Sequence, residues 1–128
     1  MTNGKKRKVL VVEDETFLVK IYSVKLKKEG FDVSIATDGE EAVRLAAEVK
    51  PDLILLDLIL PKLNGFEALE RIRANPANKN TPVLVLSNLG QEEDIKRAAA
   101  LGASDYLVKA NFSIQDIVSK IRSVIEKK

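Results

Sequence analysis

The stretch PDLILLDLILPKLNG, residues 51–65, contains the greater part of one structural unit. Pro51 breaks any helix that precedes it. Leu53 to Leu56 then run without a polar interruption and end on Asp57. A continuous apolar run of this length, bounded by turn residues, reads as a strand covered on both faces. Asn64-Gly65 opens an amphipathic stretch in which Phe66, Leu69 and Ile72 recur at helical spacing, and Asn75-Pro76 closes it. Strand, acidic end and helix follow one another within a short span.

The same unit repeats in both directions. Upstream, Val9 to Val12 is an apolar run ending in Glu13-Asp14, and Phe17, Leu18, Ile21 and Val24 form the apolar stripe of a helix that Gly30 stops. Phe31 to Ala36 alternates apolar and polar, as a half-buried strand does. After Thr37-Asp38-Gly39, a helix places Ala42, Val43, Ala46 and Ala47 on one face. Downstream, Pro82 introduces Val83 to Leu86, ending in Ser87, and a helix from about Gln91 to Leu101 is stopped by Gly102. Tyr106 to Val108 ends in Lys109, and Ser113 with Asp116 caps a last helix striped by Ile114, Ile117, Val118, Ile121, Val124 and Ile125. These are five βα units, so the expected fold is α/β: one domain, 1–128, with an open, doubly wound, five-stranded parallel sheet and five helices. Residues 1–6 read as a flexible flank, and the run Lys5-Lys6-Arg7-Lys8 as its solvated end rather than a binding patch. The last helix reaches the end of the sequence, so no second, output domain is expected.

Composition narrows the chemistry. With no histidine and no cysteine, the chain holds no Ser-His-Asp triad, imidazole base, thiolate metal site or disulfide. Reactions must run on carboxylates, lysines and hydroxyls. A net charge of +2 gives no electrostatic case for nucleic acid. No apolar run approaches the roughly 18 residues of a membrane span, and the polar start is not a secretory signal. A cytoplasmic protein is expected.

In open α/β sheets, ligands bind outside the carboxyl ends of the strands. Those ends carry Glu13 and Asp14, Asp57, Ser87 and Lys109. Three carboxylates crowded together repel one another unless a cation intervenes, and Mg²⁺ suits a site with few carboxylates plus waters. With the metal and Lys109 neutralising charge and Ser87 donating a hydrogen bond, Asp57 can act as an oxygen nucleophile toward a phosphoryl group.

VLVVEDE, PDLILLDLILPKLNG, VLVLSN and DYLVK, in this order and spacing, resemble the receiver domain of bacterial response regulators across essentially the whole chain. The resemblance implies a flavodoxin-like (βα)5 fold and a phosphoacceptor that switches a protein-interaction surface. It makes Asp57 the phosphorylated residue and Glu13 and Asp14 the acid pair, with Asp14 the direct metal ligand. The main-chain carbonyl of Ile59 completes the metal shell, Lys109 is the phosphoryl-binding lysine, and Ser87 and Tyr106 form the switch pair. Tyr106 reads equally well as a half-buried strand aromatic whose polar tip needs a partner. The implied donor is a phosphohistidine on a sensor histidine kinase or phosphotransfer protein, and the implied state is a monomer or a phosphorylation-dependent homodimer, with no direct contact to nucleic acid or membrane. Such a chain is not an enzyme in the ordinary sense, since it catalyses only its own phosphorylation and dephosphorylation.

The departures are specific. Ala110 stands where the family usually has a proline in a cis peptide, so a trans bond is expected here. Asn88 follows the switch hydroxyl, where a small residue is common, and narrows access. Ile59 and Leu89 flank the site and are apolar, which would shield it from water. Among rival readings, a dinucleotide-binding domain needs a glycine-rich first turn, and EDET would repel a pyrophosphate. A carboxylate-dependent phosphatase wants a second acid two residues after the nucleophile, where Ile59 stands. A receiver-like module that signals without phosphorylation is the third alternative, against which the complete acid set argues.

Overall fold

The computed structural model describes residues 6–126, so residues 1–5 of the expected flank, with Lys5 of the basic run, lie outside it. The strands are β1 (Lys8–Val12), β2 (Asp32–Ala36), β3 (Leu53–Leu56), β4 (Val83–Ser87) and β5 (Asp105–Val108). They alternate with α1 (Thr16–Lys28), α2 (Gly39–Val49), α3 (Gly65–Ala74), α4 (Glu92–Ala100) and α5 (Ile114–Glu126). All pair in parallel in the order β2-β1-β3-β4-β5. The chain starts near the middle, winds one way to β2, then crosses back to wind the other way. That is the expected doubly wound sheet.

Parity along the strands separates two cores. Val9, Val11, Leu53, Leu55, Leu84 and Leu86 pack beneath α1 and α5, whereas Leu10, Val12, Ile54, Leu56 and Val83 pack beneath α2 and α3. Leu58, Phe66, Val85 and Ala98 continue the second side toward α4. Both faces are covered, which is why β1, β3 and β4 read as unbroken apolar runs. On the outer strand β2, by contrast, Val33, Ser34 and Ile35 are all half-buried instead of alternating.

Local signals set the helix limits. The Asp38 carboxylate accepts the Glu41 N–H at 2.8 Å and the Asn64 side-chain oxygen Oδ1 accepts the Glu67 N–H at 3.0 Å, capping α2 and α3. Ser113 and Asp116 form a reciprocal box, side chain to N–H in each direction at 3.1 and 3.0 Å. Gly30 and Gly102 follow α1 and α4 at φ +97° and +106°, the left-handed geometry that glycine tolerates.

The stripe expected on α1 is corrected. Phe17 and Val24 are 69 % and 58 % exposed, and the buried residues are Tyr22 and Leu26. Phe17 and Val24, seven residues apart, lie on the outer flank, while the edge through Leu18, Tyr22 and Leu26 faces the sheet.

At the amino edge of the sheet, Arg73 at the end of α3 donates only to main-chain carbonyls. It reaches Gly102 O from Nε at 3.0 Å and Nη2 at 2.7 Å, Asn78 O at 2.9 Å and Thr81 O at 2.5 Å. One guanidinium thereby joins the segments that lead into β4 and β5.

Candidate functional site

Strand register assembles the site. Val12 pairs with Leu56, Leu56 with Val85, and Ser87 with Val108. The next residues along are Glu13, Asp57, Leu86 and Lys109, so the acids, the hydroxyl and the ammonium arrive at one edge. The Asp57 N–H donates to Val12 O and the Glu13 N–H to Ala36 O, each at 3.0 Å, extending the ladders by one residue.

Lys109 Nζ donates to Glu13 Oε1 at 2.7 Å and to Asp57 Oδ2 at 2.9 Å. The other Asp57 oxygen accepts the Ile59 N–H at 3.3 Å, and the other Glu13 oxygen accepts the Glu15 N–H at 3.1 Å. Glu13 and Asp57 are buried, at 2 % and 6 % exposure, while Asp14 is exposed. Burial pushes the Glu13 carboxyl above its ordinary value, against the hydrogen bonds from Lys109 and Glu15. For Lys109, burial works to lower the pKa, but the hydrogen bonds to Glu13 and Asp57 outweigh it and hold the ammonium above its usual range.

One oxygen from each of Glu13, Asp14 and Asp57 lies within 4.8 Å of the others. This donor set is all oxygen and negatively charged, with one lysine to balance three acids. It fits a hard divalent cation. Ile59 turns its N–H to Asp57 and its side chain outward, 57 % exposed.

Ser87 is fully buried, and its hydroxyl accepts the Leu89 N–H at 3.3 Å. The half-buried Tyr106 donates its hydroxyl to the Leu89 carbonyl. The main chain of one residue thus joins both members of the expected switch pair. The Leu89 side chain packs with Leu58, Phe66, Val85 and Ala98. It therefore does not shield the site as expected, because an apolar side chain beside a core cleft turns inward. No cis peptide occurs among the described residues, so Lys109–Ala110 is trans, and Lys109 opens a 3₁₀ turn through Asn111.

A cavity of about 360 Å³ lies beside Lys109, walled by Tyr22 and Leu18 of α1, by Asn88 and Ala110, and by Ile117 of α5. Tyr22 was not singled out from the sequence. Its signal is its place between Leu18 and Leu26, four residues from each, on the buried edge of α1.

Residues 9–122 match the response regulator receiver domain family. The DNA-binding dual master transcriptional regulator RpaA of Synechocystis is 35 % identical over 120 residues, covering 94 % of this chain and 49 % of that protein. The alkaline phosphatase synthesis transcriptional regulatory protein PhoP of Bacillus subtilis is 37 % identical over 121 residues, with 94 % and 49 % coverage. The chain spans about half the length of these curated relatives. Among solved structures, the chemotaxis protein CheY4 of Vibrio cholerae superposes with a TM-score of 0.87 at 31 % identity, covering 94 % of this chain and 99 % of that one. The receiver domain of a sensor histidine kinase from Pseudomonas aeruginosa, solved with magnesium coordinated in its active-site cleft, gives 0.86 at 29 % identity, covering 95 % and 99 %.

Proposed function

The chain belongs to the response regulator receiver domain family, and from that premise we propose that Asp57 accepts a phosphoryl group, in a Mg²⁺-dependent transfer, from a phosphohistidine on a sensor histidine kinase or phosphotransfer protein. The observation that carries this reading is the buried Asp57 carboxylate, bridged to Glu13 by one lysine and itself one of three mutually close acids.

Asp57 supplies the nucleophilic oxygen. Its new O–P bond forms as the donor's P–N bond breaks, and that electron pair returns to the donor imidazole. Without a histidine among its residues, this chain cannot supply that donor itself. Asp14 and Asp57 would hold Mg²⁺ directly, Glu13 through a water, and Ile59 by its main-chain carbonyl. The bound ion offsets charge on the phosphoryl oxygens. Lys109 stays beside Asp57 and offers a further N–H to the transferred group. The Ser87 hydroxyl turns from the Leu89 N–H toward that group, and Tyr106, tied to the same residue, responds. The altered surface is then read by a partner protein, in a monomer or a phosphorylation-dependent homodimer, without direct contact to nucleic acid or membrane. No helix among the described residues is long and apolar enough to cross a membrane. We assign the chain to the cytoplasm, as a signalling phosphoacceptor acting on itself alone rather than an enzyme with turnover on others.

Incubation with acetyl phosphate and Mg²⁺, followed by intact-mass measurement, tests this. One phosphoryl adduct is expected, absent from Asp57→Ala. An undiminished adduct in that variant overturns the assignment.

A further inference from the structure

We propose that Gly39, the first residue of α2, is a positioning residue for the loop that carries Asp57 and Ile59, coupling α2 to metal binding at a site it does not touch. The inference rests on the Mg²⁺ reading given above.

The loop from Asp57 to Gly65 is gripped at two points, main chain against main chain. At its near end, a Cβ on Gly65 would fall 2.4 Å from Asp57 O and 2.5 Å from the Leu58 Cα. At its far arm, a Cβ on Gly39 would fall 1.7 Å from Leu63 O and 2.6 Å from its carbonyl carbon. Such contacts have no side-chain end that can swing aside, so each acts as a hard stop. Both glycines are buried at the first turn of their helices.

Polar contacts hold the same corner. The Gly39 N–H donates to Pro61 O at 3.4 Å, and Lys62 Nζ lies 3.7 Å from the Asp38 carboxylate that caps α2. Between them Lys62 sits at φ +67°, a left-handed geometry that a non-glycine residue keeps where its surroundings dictate it. Ile59 is two residues before Pro61, so the α2 corner limits where the Ile59 main chain can lie. By linkage, whatever that placement does for the ion, the ion does in return for the corner.

The experiment has two arms. In the wild type, hydrogen exchange by NMR is compared without and with saturating Mg²⁺. Exchange at the Gly39 and Leu63 amides should slow at least threefold on saturation. Unchanged exchange there, with Mg²⁺ bound, overturns the coupling. In Gly39→Ala, calorimetric titration should show Mg²⁺ affinity weakened about tenfold, while far-UV circular dichroism stays that of the wild type. Equal affinity overturns the positioning role and leaves the metal site standing; absence of Mg²⁺ binding to the wild type overturns both. Should Gly39→Ala fail to fold, Lys62→Glu, which sets like charges against Asp38, takes its place with the same expected direction.

Discussion

Lys109 carries three N–H donors, and the structure fixes two of them on Glu13 and Asp57. Its folded-state pKa is raised, because those hydrogen bonds overcome burial. The stability it contributes is therefore complete below the ordinary lysine value of about 10.4 and is lost as pH climbs through the raised native value. Lys109→Met should lack that alkaline loss. Urea unfolding from about pH 8 to pH 11, read as the difference between the two proteins, checks it, and parallel curves refute it. Glu13 has a consequence of the same sign in a lower pH range: burial raises its carboxyl, so the stability linked to it falls as pH rises from the ordinary carboxylate value through the native one. At this scale the sequence showed the groups that end strands. Glu13, Asp14, Asp57, Ser87 and Lys109 each follow an apolar run, and parallel register does the rest. It did not show direction for residues in the turns. Leu89 lies two positions after Ser87 whether its side chain faces the site or the core, and only packing settles which.

Helix α5 matched its sequence stripe and α1 did not, for one physical reason. The α5 stripe is broad, and Ile117, Val118, Ile121 and Ile125 all bury. On α1, apolar residues lie on both flanks, so periodicity alone could not choose between the Phe17–Val24 side and the Leu18–Tyr22–Leu26 side. The difference is measurable. Ile121 is fully buried, and Ile121→Ala should lower unfolding stability by about 2–5 kcal/mol through lost burial and a residual cavity. Phe17→Ala should change it by no more than about 0.5 kcal/mol. Chemical denaturation of both variants decides it; a large loss from Phe17→Ala would place that ring in the core.

Across the whole molecule, an ion bound only by the folded state adds stability in proportion to its occupancy. At free Mg²⁺ about 100 times the dissociation constant, the gain is about 2.7 kcal/mol, a rise in Tm on the order of 10 °C for a chain of this size. That rise should nearly vanish in Asp14→Ala, which removes an exposed carboxylate proposed as a direct ligand, and persist in larger part in Glu13→Ala, proposed to act through a water. Scanning calorimetry at stepped Mg²⁺ checks the pair, and equal losses would mean the direct ligand is misassigned. The doubly wound topology was legible throughout because five strand ends and their helices recur in order. The grip of Gly39 and Gly65 on the β3–α3 loop was not, since close approach of two backbones leaves no periodic trace.

The two edges of the sheet are restrained in different ways. At the amino edge the Arg73 guanidinium ties Asn78, Thr81 and Gly102 by their carbonyls, and it cannot be discharged in the physiological range. At the carboxyl edge the restraint is a balance of charge around Asp57, which the proposed ion and phosphoryl group would change. Mechanically the domain is a cantilever, clamped at one end and loaded at the other. Deflection of a clamped beam grows with distance from the clamp. On that picture the turns that follow β4 and β5 would swing farthest when the load changes, while the β3–α3 turn is braced by Gly39 and Gly65 and the turns joined by Arg73 serve as the fixed wall.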